Sequence, residues 1–252
     1  MEKKVGFIGI GNMAGAIASS LLREHEDIAS QVYIANRNVE KAEKFAQEHG
    51  ANSCRTNREV VEVSDIIFLG VKPHILGQVL TEIKEAVSDD KILVSMAAGV
   101  SLDDIGGYFP EKKKIIRIMP NVCAQVNEGV ITLAANEAVS ENEKREIIAL
   151  LASSSLVDEV DEGLIEVATI LSGASPAYIA MFAEALADGG VQAGLPRSAS
   201  YKYVAQTLIG TGRMILEGKH PAEIKDMVCS PAGITIPGVP YLEERKFRSL
   251  VM

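Results

Sequence analysis

Val5-Gly6-Phe7-Ile8-Gly9-Ile10-Gly11-Asn12-Met13-Ala14 stands near the head of the chain. The apolar run Val5 to Ile10 reads as a strand buried on both faces, and Gly9-x-Gly11-x-x-Ala14 carries it straight into a helical pattern, Met13 to Arg23. A glycine turn between a strand and a helix is the context that dinucleotide binding requires. Gly9 permits a tight turn, Gly11 lets the backbone approach a pyrophosphate, and the small Ala14 lets helix and strand pack closely. The free N–H groups at the helix start then face the phosphate charge. Such turns also arise for packing alone, so the reading depends on the pattern of the residues beyond Arg23.

That pattern is an alternation of short apolar runs with helical stretches. Val32 to Ala35, Asp65 to Val71, Ile92 to Met96 and Ile115 to Met119 are the further strand candidates. Their near-continuous apolar character suits strands covered on both sides by crossover helices. From Asp161 onward strand-like runs disappear and the period becomes 3.6, as in Tyr178, Met181, Phe182, Ala185 and Leu186. The expected fold is α/β: an N-terminal Rossmann-type doubly wound parallel sheet over residues 1–160, then an all-helical domain over 161–252 for substrate binding or oligomerisation.

Cofactor choice is read at the end of the second strand. An NAD site usually carries Asp or Glu there to hold the ribose 2′-OH. This chain has Asn36-Arg37-Asn38. An acid would repel a 2′-phosphate, whereas Arg37 pairs with one through a charge-assisted fork. NADPH is therefore expected, with NADH the less favoured alternative.

Composition narrows the rest. The chain has 252 residues, 47% hydrophobic and 23% charged, with a formal net charge of −9. No basic face is implied, so no nucleic-acid partner is expected. Cys54, Cys123 and Cys229 have neither disulfide arithmetic nor metal spacing, so no metal and a reducing cytoplasm are expected. The N-terminal run is too broken by Gly9, Gly11 and Gly15 for a signal segment or a membrane span, and no membrane partner is expected. His25, His49, His74 and His220 are scattered and read as surface residues; Met13, Met96 and Met119 read as core fillers. The segment from Cys229 to Gly238 is dense in Ser, Pro and Gly. It either turns the chain or offers backbone N–H groups at a new helix start, which suit a carboxylate.

Taken together, these stretches resemble the pyrroline-5-carboxylate reductases. The likeness runs through Phe7 to Ala14, Val71-Lys72-Pro73, Ser95-Met96-Ala97-Ala98-Gly99, Arg117-Ile118-Met119-Pro120-Asn121, Ser175-Pro176-Ala177-Tyr178 and Glu184 to Gly190. Its most specific segment is Ser230-Pro231-Ala232-Gly233-Ile234-Thr235, similar to the family's Ser-Pro-Gly-Gly-x-Thr, with Ala232 where the family usually has Gly. The resemblance implies reduction of 1-pyrroline-5-carboxylate to L-proline with NADPH. It implies a cofactor site lined by Ile8, Gly9, Ile10, Gly11, Asn12, Met13, Arg37, Asn57, Gly70, Val71, Lys72, Pro73, Met96, Ala97 and Ala98. Substrate would be held at Ser230, Gly233, Ile234 and Thr235, with the Thr235 hydroxyl as the catalytic group facing the ring nitrogen. The helical domain would interlock into a homodimer or a ring of dimers, and the family's last helix normally continues past Leu250-Val251-Met252.

Two rivals stand beside this reading. The β-hydroxyacid dehydrogenases share the Gly-x-Gly-Asn-Met opening but place a catalytic Lys on the first long helix of the second domain, and Thr169 to Ala185 holds no Lys. A sensor that binds NADP without turnover is the other.

Overall fold

A computed structural model describes residues 3–24 and 26–252; Met1, Glu2 and His25, the last expected at the surface, lie outside the described residues. Strands β1 (Val5–Ile8), β2 (Val32–Ala35), β3 (Asn52–Ser53), β4 (Ile66–Leu69), β5 (Ile92–Ser95), β6 (Lys114–Pro120), β7 (Gly129–Ala135) and β8 (Ser155–Glu159) form one sheet in the order β3-β2-β1-β4-β5-β6-β7-β8. From β3 to β6 all neighbours are parallel. β7 then runs antiparallel to β6, and β8 parallel to β7.

The sheet corrects the sequence reading in three places. The strand expected over Val5 to Ile10 ends at Ile8, because Gly9 takes φ +87° and turns the chain. The strand expected over Asp65 to Val71 is only Ile66–Leu69, since Gly70 already belongs to the next turn. The purely parallel sheet gains a reversed β7–β8 pair that the pattern does not announce.

Helices α1 (Asn12–Glu24), α2 (Val39–His49), α3 (Asn57–Val63), α4 (Pro73–Ile83), α5 (Leu102–Gly106) and α6 (Glu141–Leu151) cover the two faces. On one face Ala14, Ile17, Ala18 and Leu21 of α1 and Ile147 and Leu151 of α6 pack with Phe7 and Phe68. Those two rings stack at 4.8 Å on the directly paired strands β1 and β4. On the other face Val60 and Val61 of α3, Leu76, Leu80 and Ile83 of α4 and Ile105 of α5 meet Ile8, Ile67, Leu69 and Leu93. The alternation of each strand's side chains feeds both cores, which is why the strands read as unbroken apolar runs. Short polar residues start the helices: Asn38, Thr56, Ser101 and Ser140 each accept a hydrogen bond from an N–H of the first turn of α2, α3, α5 and α6.

After β8 the chain is helical: α7 (Ile165–Thr169), one wide π-type turn (Ile170–Ala174), α8 (Ser175–Gln192), α9 (Arg197–Leu216), α10 (Pro221–Val228), α11 (Gly238–Glu244) and α12 (Phe247–Val251). The chain divides into two compact units, Met1–Ala177 and Tyr178–Met252. In the second unit Ala187 is the buried residue of α8 and Ser200 that of α9, while Met181, Tyr203 and Leu216 stand exposed.

Candidate active site

A doubly wound sheet opens a crevice where successive crossovers leave in opposite directions. Here that point lies between β1 and β4, because the chain proceeds from β1 outward to β2 and β3 and then returns to β4. Ile8, Gly9, Ile10, Gly11, Asn12 and Met13 form the turn from β1 into α1. Gly70, Val71, Lys72 and Pro73 form the matching turn from β4 into α4. Their backbones interlock: the Gly9 N–H donates to the Ala35 carbonyl and the Gly70 N–H to the Ile8 carbonyl, both at 2.8 Å. A Cβ on Gly70 would sit 2.5 Å from the Gly9 carbonyl oxygen and 2.5 Å from Ala14 Cβ. The two turns therefore pack against one another only as glycines.

Gly11 is different. A Cβ there would meet nothing nearer than the Gly70 carbonyl oxygen at 3.9 Å, so internal packing does not demand glycine. What glycine leaves open is outward space over the start of α1, where a ligand's phosphates can lie on the backbone. The first turn of α1 holds no acid, nor does that of α4, whose N-cap residue is the exposed Lys72. The positive ends of both helix dipoles thus face the crevice unopposed, and the residues fit a dinucleotide.

The remaining cofactor candidates lie along the same edge of the sheet. Arg37 follows β2 and is exposed. Asn57 opens α3, half-buried, and its amide donates to Glu82 at 2.8 Å. Met96, Ala97 and Ala98 follow β5, where the buried Ser95 hydroxyl accepts the Ala97 N–H at 3.3 Å. Asn36 is a positioning group that the motif alone does not reveal. Its Oδ1 accepts the Ile10 N–H at 3.2 Å and its amide donates to the Asn38 carbonyl at 3.1 Å, tying the glycine turn to the end of β2. Asparagine in place of the acid thus holds the turn as well as removing a charge.

Ser230, Gly233, Ile234 and Thr235 lie in the second unit, on the loop between α10 and α11. The Gly233 N–H closes a turn onto the Ser230 carbonyl at 2.9 Å, and a Cβ on Gly233 would lie 2.5 Å from Ser230 Oγ. Ala232 takes φ 59°, the left-handed conformation that favours glycine. Among the described residues neither the Ile234 nor the Thr235 N–H donates to the protein, and both residues are exposed. Two adjacent amides without a protein acceptor and a hydroxyl beside them can donate to an anionic group such as a carboxylate.

Among the described residues, the histidines are not aligned for catalysis. His49 lies against Phe45 and within 3.3 Å of Ser19 Oγ, His74 is exposed on α4, and His220 caps α10 through an Nδ1 that accepts the Ala222 N–H. Burial, with the Glu59 carboxylate beside it, pushes the Cys54 thiol up and makes it a poor nucleophile. No cluster of His, Cys, Asp and Glu suited to a metal occurs among the described residues.

Residues 4–99 match a family model described as NADP oxidoreductase coenzyme F420-dependent, and residues 162–252 one described as pyrroline-5-carboxylate reductase dimerisation. The pyrroline-5-carboxylate reductase of Escherichia coli is 40% identical over 253 residues, covering 100% of this chain and 94% of that protein. The Arabidopsis thaliana reductase is 38% identical over 257 residues, covering 99% and 90%. Among solved structures, the reductase of Coxiella burnetii superposes with a TM-score of 0.93 at 32% identity, covering 99% of this chain and 93% of that one. That of Plasmodium falciparum, solved with NADP bound, has a TM-score of 0.84 at 31% identity, covering 100% and 93%.

Proposed function

We propose a mechanism from one premise: the chain belongs to the pyrroline-5-carboxylate reductase family. Its reaction is the NADPH-dependent reduction of 1-pyrroline-5-carboxylate to L-proline, the last step of proline biosynthesis, and it works as a homodimer. The observation that carries this is the 40% identity to the Escherichia coli reductase along the entire chain.

When bound, NADPH supplies a hydride to the carbon of the C=N bond, and a proton completes the ring amine. The protein's part is chiefly placement, since a cyclic iminium is already electrophilic. The crossed turns at Gly9 and Gly70, with Asn12, Met13, Val71 and Pro73, seat the pyrophosphate; Arg37 and Lys72 answer phosphate charge. Asn57 and Met96 to Ala98 line the rest of the cofactor's length. In the second unit the Ile234 and Thr235 amides take the substrate carboxylate, Ser230 and Gly233 shape the loop around it, and the Thr235 hydroxyl orients the ring nitrogen. A hydroxyl of ordinary acidity is a weak proton donor, so Thr235 aligns the nitrogen while water delivers the proton.

We place the division of labour near residue 160, with 1–160 holding the cofactor and 161–252 serving substrate and dimer; the dimerisation family's match from residue 162 supports it. The three free cysteines favour the cytoplasm as the place of work. The test is the loss of NADPH absorbance on adding 1-pyrroline-5-carboxylate, with proline identified as product, repeated with the six-membered piperideine acid. Consumption with proline formed is expected. NADPH that raises the melting temperature yet is never oxidised would instead favour a cofactor sensor.

A further inference from the structure

Three facts concern the joint, within the first unit, between the sheet and the helical run from Glu162 to Ala177. First, Pro176 has no N–H, so the Ser172 carbonyl four residues earlier has no α-helical donor, and the proline ring crowds that same carbonyl. The helix answers with the wide turn Ile170–Ala174, where a Cβ on Gly173 would already lie 2.9 Å from Thr169 Cγ2. Wide turns of this kind concentrate at functional positions. Second, the orphaned Ser172 carbonyl accepts the Asn121 side-chain amide at 2.9 Å. Asn121 is 6% exposed, and its Oδ1 accepts the Val130 N–H at 3.0 Å, so neither end of the amide is free to turn. Third, Arg117 stands on β6 four residues before Asn121, which directly follows the strand's last residue. It is 3% exposed and its guanidinium bonds Glu162 at 3.3 Å and Glu166, fixing the beginning of the same helical run. Glu162 is itself held by the Leu102 N–H at 2.7 Å.

Arg117 stands opposite Ser95 in the β5–β6 ladder, so the end of β6 runs beside the segment Met96–Ala98. We infer that Asn121 is a positioning residue for the reduction: it holds the turn widened by Pro176 at a fixed place beside the Met96–Ala98 end of the cofactor site. A proline that breaks the helix ladder and a buried amide that repairs the break form one device. The proline destabilises the helix, the asparagine caps the damage, and the outcome is a widened turn packed on β6 rather than a straight helix. This inference rests on the chain's being a working pyrroline-5-carboxylate reductase.

Two variants test it in the steady-state assay with 1-pyrroline-5-carboxylate. Asn121→Asp keeps the acceptor for Val130 and removes the donor to Ser172. Pro176→Ala restores a helical N–H for Ser172 and lets the turn tighten. The inference expects kcat to fall about tenfold or more in both, with KM for NADPH within about twofold, because the phosphate turns are untouched. It further expects Pro176→Ala to melt higher than wild type while turning over more slowly, a combination that a purely structural role does not produce. Pro176→Ala melting higher at unchanged kcat, or folded Asn121→Asp at wild-type kcat, overturns the inference while leaving the family reading intact. A wild-type chain without turnover overturns both.

Discussion

At the residue scale, Arg37 and Thr235 make separate claims. Arg37→Ala should weaken NADPH binding by about 1 to 3 kcal/mol, the range of a charge-assisted hydrogen bond, and leave NADH nearly unchanged. Titration with each cofactor checks it, and equal losses would remove the 2′-phosphate role. Thr235→Val keeps size and shape while deleting the hydroxyl. If the hydroxyl aligns the ring nitrogen, kcat falls roughly tenfold, as expected for about 1.4 kcal/mol lost in the transition state, while the melting temperature holds. A loss of stability at normal kcat would make Thr235 a turn residue instead. The sequence displays such residues when chemistry fixes their type: the glycine turn at Gly9 and Gly11 between β1 and α1 is legible from its spacing, and Arg37 is the phosphate partner proposed from its place after β2. Asn36, Arg117 and Asn121 are not, because an amide or a buried guanidinium takes its meaning from a partner far along the chain, Ile10, Glu162 and Ser172 respectively.

At the element scale, the strands buried on both faces are plain in the sequence, and β7 and β8 are not. β8 is an edge strand, Ser155–Glu159, mostly open to solvent, so its residues lack the unbroken apolar signal. The connection between them, α6, begins with a reciprocal cap in which Ser140 and Glu143 bond one another's backbone N–H. Glu143 also binds Lys114 of β6 at 2.6 Å. Burial opposes its ionisation, but hydrogen bonds from Lys114 and Ser140 outweigh that and hold the carboxyl down to about 2, against an ordinary value of 4.5. A carboxyl depressed in the folded state contributes stability above its unfolded value and loses it as pH falls toward the folded one. Part of the chain's acid unfolding between pH 4.5 and about 2 should therefore belong to Glu143. Glu143→Gln should melt lower near neutral pH and converge on wild type as the pH drops through that window. Parallel melting curves at every pH would contradict this.

At the scale of the whole molecule, the helical run Glu162–Gln192 contains an apolar stretch with a mean hydropathy of 1.4, only 6% of which is buried. Length and composition alone would let it span a bilayer. The homodimer account predicts that a second copy covers this run together with the exposed Met181 and Leu216. Light scattering should find a dimer or larger species. Met181→Glu, at a position 68% exposed in the single chain, should break the dimer without unfolding the sheet unit. An active monomer of 27.0 kDa would contradict the interlocked assembly.

The central claim is that this chain brings the reduced nicotinamide against the C=N carbon of the pyrroline acid. Turnover with NADPH deuterated at the transferable position tests it directly. The account predicts proline carrying one deuterium on the ring carbon that had been doubly bonded to nitrogen. Proline free of deuterium, or label spread to solvent-exchangeable positions, would contradict direct hydride transfer.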